Sequence, residues 1–512
     1  MSFEARIGLA LKGSNWQELQ DNTPASTAPV FNEPASNDLA TDFENGADEF
    51  EAPKEMTAKQ KKKMERFGVA VARDAGEVLQ IIEADVLTPV QQQVVWDQDP
   101  ELLCSYNWQA STDGSNTIFV PGQPAKWHQP ALPHTLERDS GFQYADYNYA
   151  RQPRDPYSPL FHALNVMNPN YQFSDIDVLA DRNNLRVLLE FVQGKANGPF
   201  RLDLYLVFNT LIIVRKESRW WKVSDGASYG CNFEKFFTQP AQGMEDATSH
   251  YRAIRYPMGP INVVCRFEAD AYDDGLVSDE LTPFEANAVS GGLPERPKFD
   301  FRAPIRVLQK GHIVPTAQMV ELKTQKYDPE KFRPVACQDQ LWFGRTKLLF
   351  TGPYESNTGV IRRVKLEDAT DRIKNWEANN QENLRKLVTL LTQLRAVLKR
   401  ERRPNRAVVL VREEKGGPLS VRSMEGMQHA VGKDFFMKHW RPTPIQSNPQ
   451  RGGYRGQRGG SRGSSNPPRG RGQAYPTPGQ SFPFNRQSVA PRGRGSLERG
   501  QSPNHPQGGL RG

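Results

Sequence analysis

The pattern of hydrophobic and polar positions changes its period several times between residues 100 and 440. Two β-rich runs, residues 200–208 and 210–217, meet at Asn209 and predict a hairpin. Leucines at 384, 387, 391, 394 and 398 recur every three or four residues, which predicts a long amphipathic helix. Because the leucine seam lasts only about two heptads, we expect it to pack on a sheet rather than in a coiled coil.

Further segments alternate between the two types of secondary structure. The predicted strands are residues 176–179, 261–267, 313–324, 347–351, 407–412 and 419–422, and the predicted helices are residues 185–192, 229–237 and 339–347. The segment 275–301 is rich in Pro, Gly and acids, which predicts an insertion loop. This alternation predicts a mixed-sheet α/β (α+β) body with packed helices.

Composition divides the chain into three regions. Residues 1–95 are acidic and polar with many Pro, Asn and Ser, which predicts a mostly disordered region, although a basic helix over residues 56–85 is an alternative for its end. Residues 96–440 form the predicted globular domain. Residues 441–512 hold twelve Arg, no Lys and one acid, which is a net charge of +11. Since the whole chain carries +7, residues 1–440 sum to −4, and the basic character belongs to the tail.

The predicted disordered tail repeats Arg-Gly ten times, beginning at Arg451. Four aromatic residues are interleaved with these pairs: Tyr454, Tyr475, Phe482 and Phe484. Arginine contacts phosphates and stacks on bases, and aromatic rings add further stacking. The tail therefore resembles RNA-binding RGG segments, with a flexible solubilising tail as the alternative.

Cysteine spacing and hydropathy predict the cellular compartment of the protein. The four cysteines, Cys104, Cys231, Cys265 and Cys337, are far apart and lack zinc-ligand spacing, which fits a reducing environment. The most apolar run, residues 204–214, is too short to span a bilayer, so we expect no membrane association. Residues 59–63 include four Lys and are compatible with nuclear import, so we expect the nucleus, with the cytoplasm as the alternative.

The triplet Glu321-Leu322-Lys323 is the first candidate for chemistry. Alternation along a strand places Glu321 and Lys323 on the same face. A carboxylate there can hold a divalent cation, and an ammonium group can steady the charge of a phosphate. A solvated surface strand with alternating charges is the alternative interpretation.

Three further acids extend this candidate site. Glu234 stands among aromatic residues, and Glu268 and Asp270 share one face of a strand end. Phosphodiester hydrolysis with divalent cations requires carboxylates from several elements to converge. Each acid also has an ordinary interpretation, as a helix-surface acid for Glu234 and as loop solvation for the other pair.

The order of these motifs resembles the eukaryotic decapping exoribonucleases, which also act as RNA 5′-pyrophosphohydrolases and have the PD-(D/E)XK nuclease fold. The matching segments are residues 177–182, which end at Arg182, then Gly230-Cys231-Asn232-Phe233-Glu234, Glu268-Ala269-Asp270, Glu321-Leu322-Lys323-Thr324, Gln340, and Gly416-Gly417-Pro418. The resemblance covers roughly residues 100–440. In the family an aromatic precedes the Arg and a Gly follows it, whereas Asp181 and Asn183 flank Arg182 here.

The resemblance implies a role for each matching residue. Glu234, Glu268, Asp270, Glu321 and the carbonyl of Leu322 would bind Mg²⁺ or Mn²⁺, Lys323 and Gln340 would position water and the scissile phosphate, and Arg182 would bind RNA phosphates. The implied activity is decapping, pyrophosphohydrolysis or 5′–3′ exonucleolysis in RNA 5′-end quality control or decay, with RNA and also a partner exoribonuclease as partners. The alternative is an inactive RNA-binding adaptor that keeps the nuclease fold.

Overall fold

The computed structural model describes residues 71–441, apart from residues 73, 97–98, 112–113, 197, 218–219, 225, 276–298, 302, 329–333, 403–405 and 427–428. The chain divides into two units, residues 1–445 and 446–512, and all described residues belong to the first. The predicted tail after Arg441, the basic run at 59–63 and most of the predicted insertion loop lie outside the described residues.

Short strands dominate the described part of the chain. The strands are β1 Ala75–Ile82, β2 Glu101–Gln109, β3 Thr117–Pro121, β4 Ala125–Trp127, β5 His134–Thr135, β6 Phe142–Tyr144, β7 Val178–Asp181, β8 Phe200–Val207, β9 Thr210–Arg215, β10 Trp221–Val223, β11 Thr238–Gln239, β12 Ala247–Met258, β13 Ile261–Ala269, β14 Ala271–Tyr272, β15 Arg306–Lys310, β16 Met319–Lys326, β17 Leu348–Tyr354, β18 Val360–Ile361, β19 Lys365–Asp368, β20 Ala407–Arg412 and β21 Leu419–Met424.

Helices connect and cover these strands. They are α1 Tyr147–Arg151, α2 Ser158–Met167, α3 Arg182–Val192, α4 Gly230–Phe237, α5 Gln338–Gly344, α6 Thr370–Arg400 and α7 Lys433–His439, and a 3₁₀ turn spans Thr316–Gln318. Among the residues that the structure describes, no helix has the length and apolar character needed to cross a bilayer.

The larger sheet is mixed and has the strand order β1-β21-β20-β8-β9-β7-β13-β12-β2-β3-β15. At its centre β7 runs parallel to both β9 and β13, whereas β8 and β9 form an antiparallel hairpin. Helices α3, α5 and α6 cover one face, with Leu188, Leu341 and Leu391 in the same apolar core. Helix α2 packs on the other face through Leu160 and Phe161.

A smaller sheet has the order β11-β4-β14-β16-β17-β18-β5, with β19 paired to β17. Helix α4 packs against β16 in this sheet. The aromatic side chains of Phe233 and Phe237 on α4 join Trp127 and Phe350 in a separate core. The chain passes from the larger to the smaller sheet directly between β13 and β14, which brings the ends of the two sheets together.

The predicted mixed α/β body is confirmed, as are the hairpin around Asn209 and the helix carrying the leucine seam. That helix is longer than predicted, because its first turns at Thr370 carry few leucines and so lack the seam. The alternative helix over residues 56–85 is wrong at its end, where residues 75–82 form strand β1. β1 pairs with β21, so tertiary pairing overrides the local pattern there.

Candidate active site at the junction of the two sheets

The candidate residues meet where the chain leaves the larger sheet for the smaller one. Arg182 is the first residue of α3, directly after β7. Glu268 lies near the end of β13, which is the parallel neighbour of β7. Asp270 is the single residue between β13 and β14, and β14 pairs with β16, which carries Glu321. Three segments that are distant in sequence therefore deliver these side chains to one place.

Strand alternation places Glu321 and Lys323 side by side, as predicted. Lys323 Nζ lies 3.0 Å from Glu321 Oε1. The Glu321 side chain is only 3% exposed and that of Lys323 is 15% exposed, which excludes a solvated surface strand at this position. Val320 and Leu322 point to the apolar core between β16 and α4. The pair is therefore a buried ion pair rather than a solubilising pattern.

Two more donors approach the same carboxylate. Arg182 Nη1 donates to Glu321 Oε2 at 2.9 Å. Gln340, with its amide oriented so that both ends are satisfied, donates from Nε2 to Glu321 Oε1 at 2.9 Å. Glu321 thus accepts hydrogen bonds from Arg182, Lys323 and Gln340, three residues that the sequence analysis had grouped with it.

A second layer of charged residues fixes the orientation of Gln340. Its amide oxygen accepts from Arg186 Nη1 at 3.0 Å, and Arg186 Nε donates to Asp339 Oδ2 at 2.7 Å. Asp339 Oδ1 also accepts from the backbone N–H of Gln340 at 2.8 Å. Arg186 lies one helical turn after Arg182 on α3, so the two arginines reach the same end of α5 and β16.

Asp270 and Glu268 are acids in a poorly solvated setting. Asp270 Oδ2 accepts from the backbone N–H of Leu322 at 2.9 Å. Burial and then the charge of Glu321 raise the pKa of Asp270 well above its ordinary value. Burial also raises the pKa of Glu268 to about 7, with the charge of Asp270 contributing and a hydrogen bond from Ser249 acting in the opposite direction. The two neighbouring carboxylates therefore resist ionisation together at neutral pH.

Glu321 is the opposite case. Burial acts to raise the pKa of its carboxyl group, but the charges of Arg182 and Lys323 and the hydrogen bonds from both side chains outweigh it and lower the pKa. Glu321 is therefore ionised at neutral pH. The site holds one permanent carboxylate beside two acids that lose their protons only near neutrality.

Glu234 reaches the same region from α4. After burial, the charges of Glu234 and Glu268 both contribute to raising the pKa of the Cys231 thiol, so both acids lie near that side chain. The position of α4 depends on Gly352 in β17, because a Cβ atom there would lie 2.5 Å from Cε2 of Phe233. The absence of a side chain at residue 352 thus lets α4 approach the sheet.

The residues fit a divalent cation in chemical type. Mg²⁺ and Mn²⁺ prefer oxygen ligands, and Glu234, Glu268, Asp270 and Glu321 supply only oxygen. Two acids with raised pKa are also groups that a cation would stabilise in their ionised form. As placed, no three His, Cys, Asp or Glu side chains of the described ranges surround one point closely enough to hold a metal ion. The carboxylate of Glu321 is instead occupied by its three donors.

Comparison with known proteins gives one family match. A family model described as Domain of unknown function (DUF8563) matches residues 76–440. The chain belongs to this family. The matched DUF8563 region contains every candidate site residue, from Arg182 to Gln340. A search of curated protein sequences finds no match.

The DUF8563 chain is similar to several solved structures. Rai1 of S. pombe is 14% identical with a TM-score of 0.44, and the match covers 67% of this chain and 98% of that one. Rai1 of Candida albicans, solved in complex with pU5-Mn²⁺, is 13% identical with a TM-score of 0.45 and coverage of 70% and 97%. Dxo1 of K. lactis, solved with manganese, is 10% identical with a TM-score of 0.41 and coverage of 69% and 99%.

A buried ion pair behind the DUF8563 site was not predicted from the sequence. Arg266 is fully buried and donates from Nε to Asp181 Oδ1 at 2.6 Å and from Nη2 to Asp181 Oδ2 at 3.1 Å. Tyr149 Oη also donates to Asp181 Oδ2 at 2.8 Å. Asp181 precedes Arg182, and Arg266 lies two residues before Glu268, so this pair joins the two strands that carry site residues. The signal in the sequence was Asp181 itself, which stands where the decapping exoribonuclease family has an aromatic residue.

Proposed function

We propose that this chain is a divalent-metal-dependent hydrolase that acts on the 5′ end of RNA by decapping, pyrophosphohydrolysis or 5′–3′ exonucleolysis. The observation that carries the proposal is the convergence of Glu268, Asp270, Glu321, Lys323 and Gln340 at the junction of the two sheets. Acids, an amine and an amide from separate elements are the parts that metal-assisted phosphoryl hydrolysis needs.

In this proposal, Glu268, Asp270 and Glu321 hold the cation, with Glu234 and the carbonyl of Leu322 as further ligands. A bound Mg²⁺ or Mn²⁺ ion would polarise the scissile phosphate and make a bound water more acidic. The raised pKa values of Glu268 and Asp270 mean that both acids must lose protons before they can serve as ligands, which makes cation affinity increase with pH.

The remaining side chains bind the RNA phosphates and orient the attacking water in this proposal. The planar guanidinium of Arg182 can pair with phosphate oxygens, and Lys323 supplies a compact positive charge beside the carboxylate of Glu321. Gln340 is held from behind by Arg186, so its amide points in one direction and can align an attacking water. The Arg-Gly repeats beyond Arg451 would contact RNA without regard to sequence.

The test uses RNAs that differ only at the 5′ end. Purified full-length protein is incubated with 5′-triphosphate, capped and 5′-monophosphate RNA of one sequence, with Mn²⁺, with Mg²⁺ or with EDTA. We expect a metal-dependent product from at least one RNA and a loss of about a hundredfold or more in Asp270→Asn and Glu321→Gln. Glu83→Gln changes an exposed acid and serves as the matched control. Absence of any metal-dependent product from wild type would refute the proposal.

The second candidate function is an RNA-binding adaptor without turnover. The observation in its favour is that Glu321 already accepts hydrogen bonds from Arg182, Lys323 and Gln340, which neutralises the site without a cation. Under this alternative, wild type and Glu321→Gln bind the three RNAs equally and release no product. The same set of incubations, combined with a binding assay, distinguishes the two functions.

A further inference from the structure

The turn between β8 and β9 exposes an aromatic ring in an unusual backbone conformation. Val207 pairs with Thr210, so Phe208 and Asn209 form a two-residue turn. Phe208 has a φ of +51° and the residue is 55% exposed. Glycine, Asn and Asp are the residues that such turns favour at positive φ, since other side chains are strained there. Phe208 is therefore unfavourable for the fold both as an exposed ring and as a left-handed residue.

The turn is held rigidly by its surroundings. The carbonyl of Asn209 accepts from Arg395 Nη2 at 3.0 Å, and Asn209 Nδ2 donates to Asp177 Oδ1 at 3.3 Å. Next in the chain, Thr210 Oγ1 accepts from Trp440 Nε1 at 3.1 Å. A strained residue persists when neighbouring contacts fix it, and such residues concentrate at functional positions. The backbone of the turn that carries Phe208 is thus held in place.

Phe208 belongs to a small aromatic and cationic platform, defined here as Phe208, Phe436, Arg406 and Arg441. The rings of Phe208 and Phe436 are stacked with centroids 5.6 Å apart and an interplanar angle of 14°. Arg441 Cζ lies 5.6 Å from the centroid of the Phe436 ring. Arg406 is exposed, and its carbonyl accepts from the N–H of Leu206, two residues before Phe208.

The charge of the platform and its exposed apolar area indicate which kind of ligand it binds. Asp177, the acid that contacts the turn, is paired with Arg395 Nη2 at 2.6 Å, so it does not cancel the charges of Arg406 and Arg441. The exposed large apolar residues here are Phe208 and Met437, which together offer far less than the roughly 800 Å² per partner of a stable protein interface. One ring is, however, the right size for one nucleotide base, and arginines beside it suit the phosphate backbone. We infer that this platform binds single-stranded RNA by stacking a base on Phe208.

The platform is separate from the acid site. The backbone N–H of Leu211, just after the turn, donates to the carbonyl of Asp177, which precedes β7. Arg182 follows the other end of β7, five residues after Asp177. At about 3.3 Å per residue, the two sites are on the order of 15 Å apart along this strand. The inference therefore goes beyond the proposed hydrolysis and does not depend on it.

Phe208→Gly provides the decisive variant, because glycine adopts the positive φ without strain. Full-length protein is titrated with fluorescein-labelled 5′-hydroxyl oligouridine of 20 nucleotides in EDTA, so that neither cleavage nor a 5′ phosphate contributes. We expect Phe208→Gly to weaken binding by about fivefold or more. The urea midpoint should stay unchanged or rise. Phe208→Tyr keeps the ring and should keep the affinity.

The matched control is Phe301→Gly, which removes another phenylalanine that is 48% exposed. It should leave the RNA affinity unchanged. With 4-thiouridine in place of uridine, irradiation should crosslink RNA to the peptide that contains Phe208 or Phe436. Equal affinities of wild type and Phe208→Gly would overturn the inference. So would a change in molar mass on sedimentation in Phe208→Gly without a change in RNA affinity, which would identify the platform as a contact between protein chains.

Discussion

Replacement of Glu268 by glutamine should make the stability of the metal-free protein less dependent on pH. Glutamine has nearly the same shape as the glutamic acid and can keep the hydrogen bond with Ser249. It cannot ionise, however. The substitution therefore removes the charge while leaving the packing at the junction of the two sheets largely intact.

The magnitude follows from the raised pKa of Glu268. The unfolded chain releases this proton near pH 4.5, whereas the folded chain holds it until about pH 7. Between these values the folded state binds more protons, so stability falls as the pH rises through this window. A difference between 4.5 and about 7 corresponds to at most about 3 kcal/mol at pH 8. Because the side chain is only partly buried, roughly 1–3 kcal/mol is the expected range.

Urea unfolding at pH 5, 6, 7 and 8 in EDTA measures this pH-dependent part of the free energy of unfolding. We expect Glu268→Gln and wild type to have similar free energies of unfolding at pH 5, and the variant to become the more stable protein by pH 8. Titrating groups that do not interact with Glu268 cancel in the comparison. Glu83→Gln, at an exposed position, should follow wild type at every pH. A difference between Glu268→Gln and wild type that stays constant from pH 5 to pH 8 would refute the reasoning.

Three further substitutions test other parts of the structure. Arg266→Met leaves Asp181 buried without its partner and should lower the free energy of unfolding by about 3–5 kcal/mol, measured by urea unfolding, with Arg266→Met/Asp181→Asn recovering part of the loss. Gln340→Leu removes the amide that bridges the two layers of the site and should slow RNA hydrolysis by about 10–100-fold with a normal urea midpoint. Gly352→Ala should lower the free energy of unfolding by about 1–3 kcal/mol, measured by thermal or urea unfolding, because the new Cβ would overlap the Phe233 ring. An unchanged free energy of unfolding would mean that α4 shifts freely.

Local pattern was enough to predict the elements that carry the site. Alternation at Glu321 and Lys323 requires only that residues 319–326 form a strand, which they do. The helix around Glu234 and the strand before Glu268 also follow from short-range periodicity. The roles of these residues and of Leu322 in cation binding and hydrolysis belong to the proposed function.

Long-range polar contacts could not be predicted in the same way. Arg186 and Asp339 are separated by 153 residues, and Asp181 and Arg266 by 85, yet each pair forms a close ion pair. A single sequence does not specify which arginine meets which acid across such distances. Strand β1 was missed for a related reason, because its pairing with β21 joins two ends of the folded region.

The central claim is that the acids at 268, 270 and 321 jointly hold a divalent cation that serves RNA 5′-end hydrolysis. Crystals grown with Mn²⁺ and a non-cleavable 5′-phosphorothioate RNA test it through anomalous diffraction from manganese. We predict an anomalous peak within roughly 2.0–2.6 Å of carboxylate oxygens of Asp270 and Glu321, next to the RNA 5′ phosphate. RNA bound elsewhere, or a junction without a manganese peak and with Glu321 still paired to Arg182 and Lys323, would contradict the account.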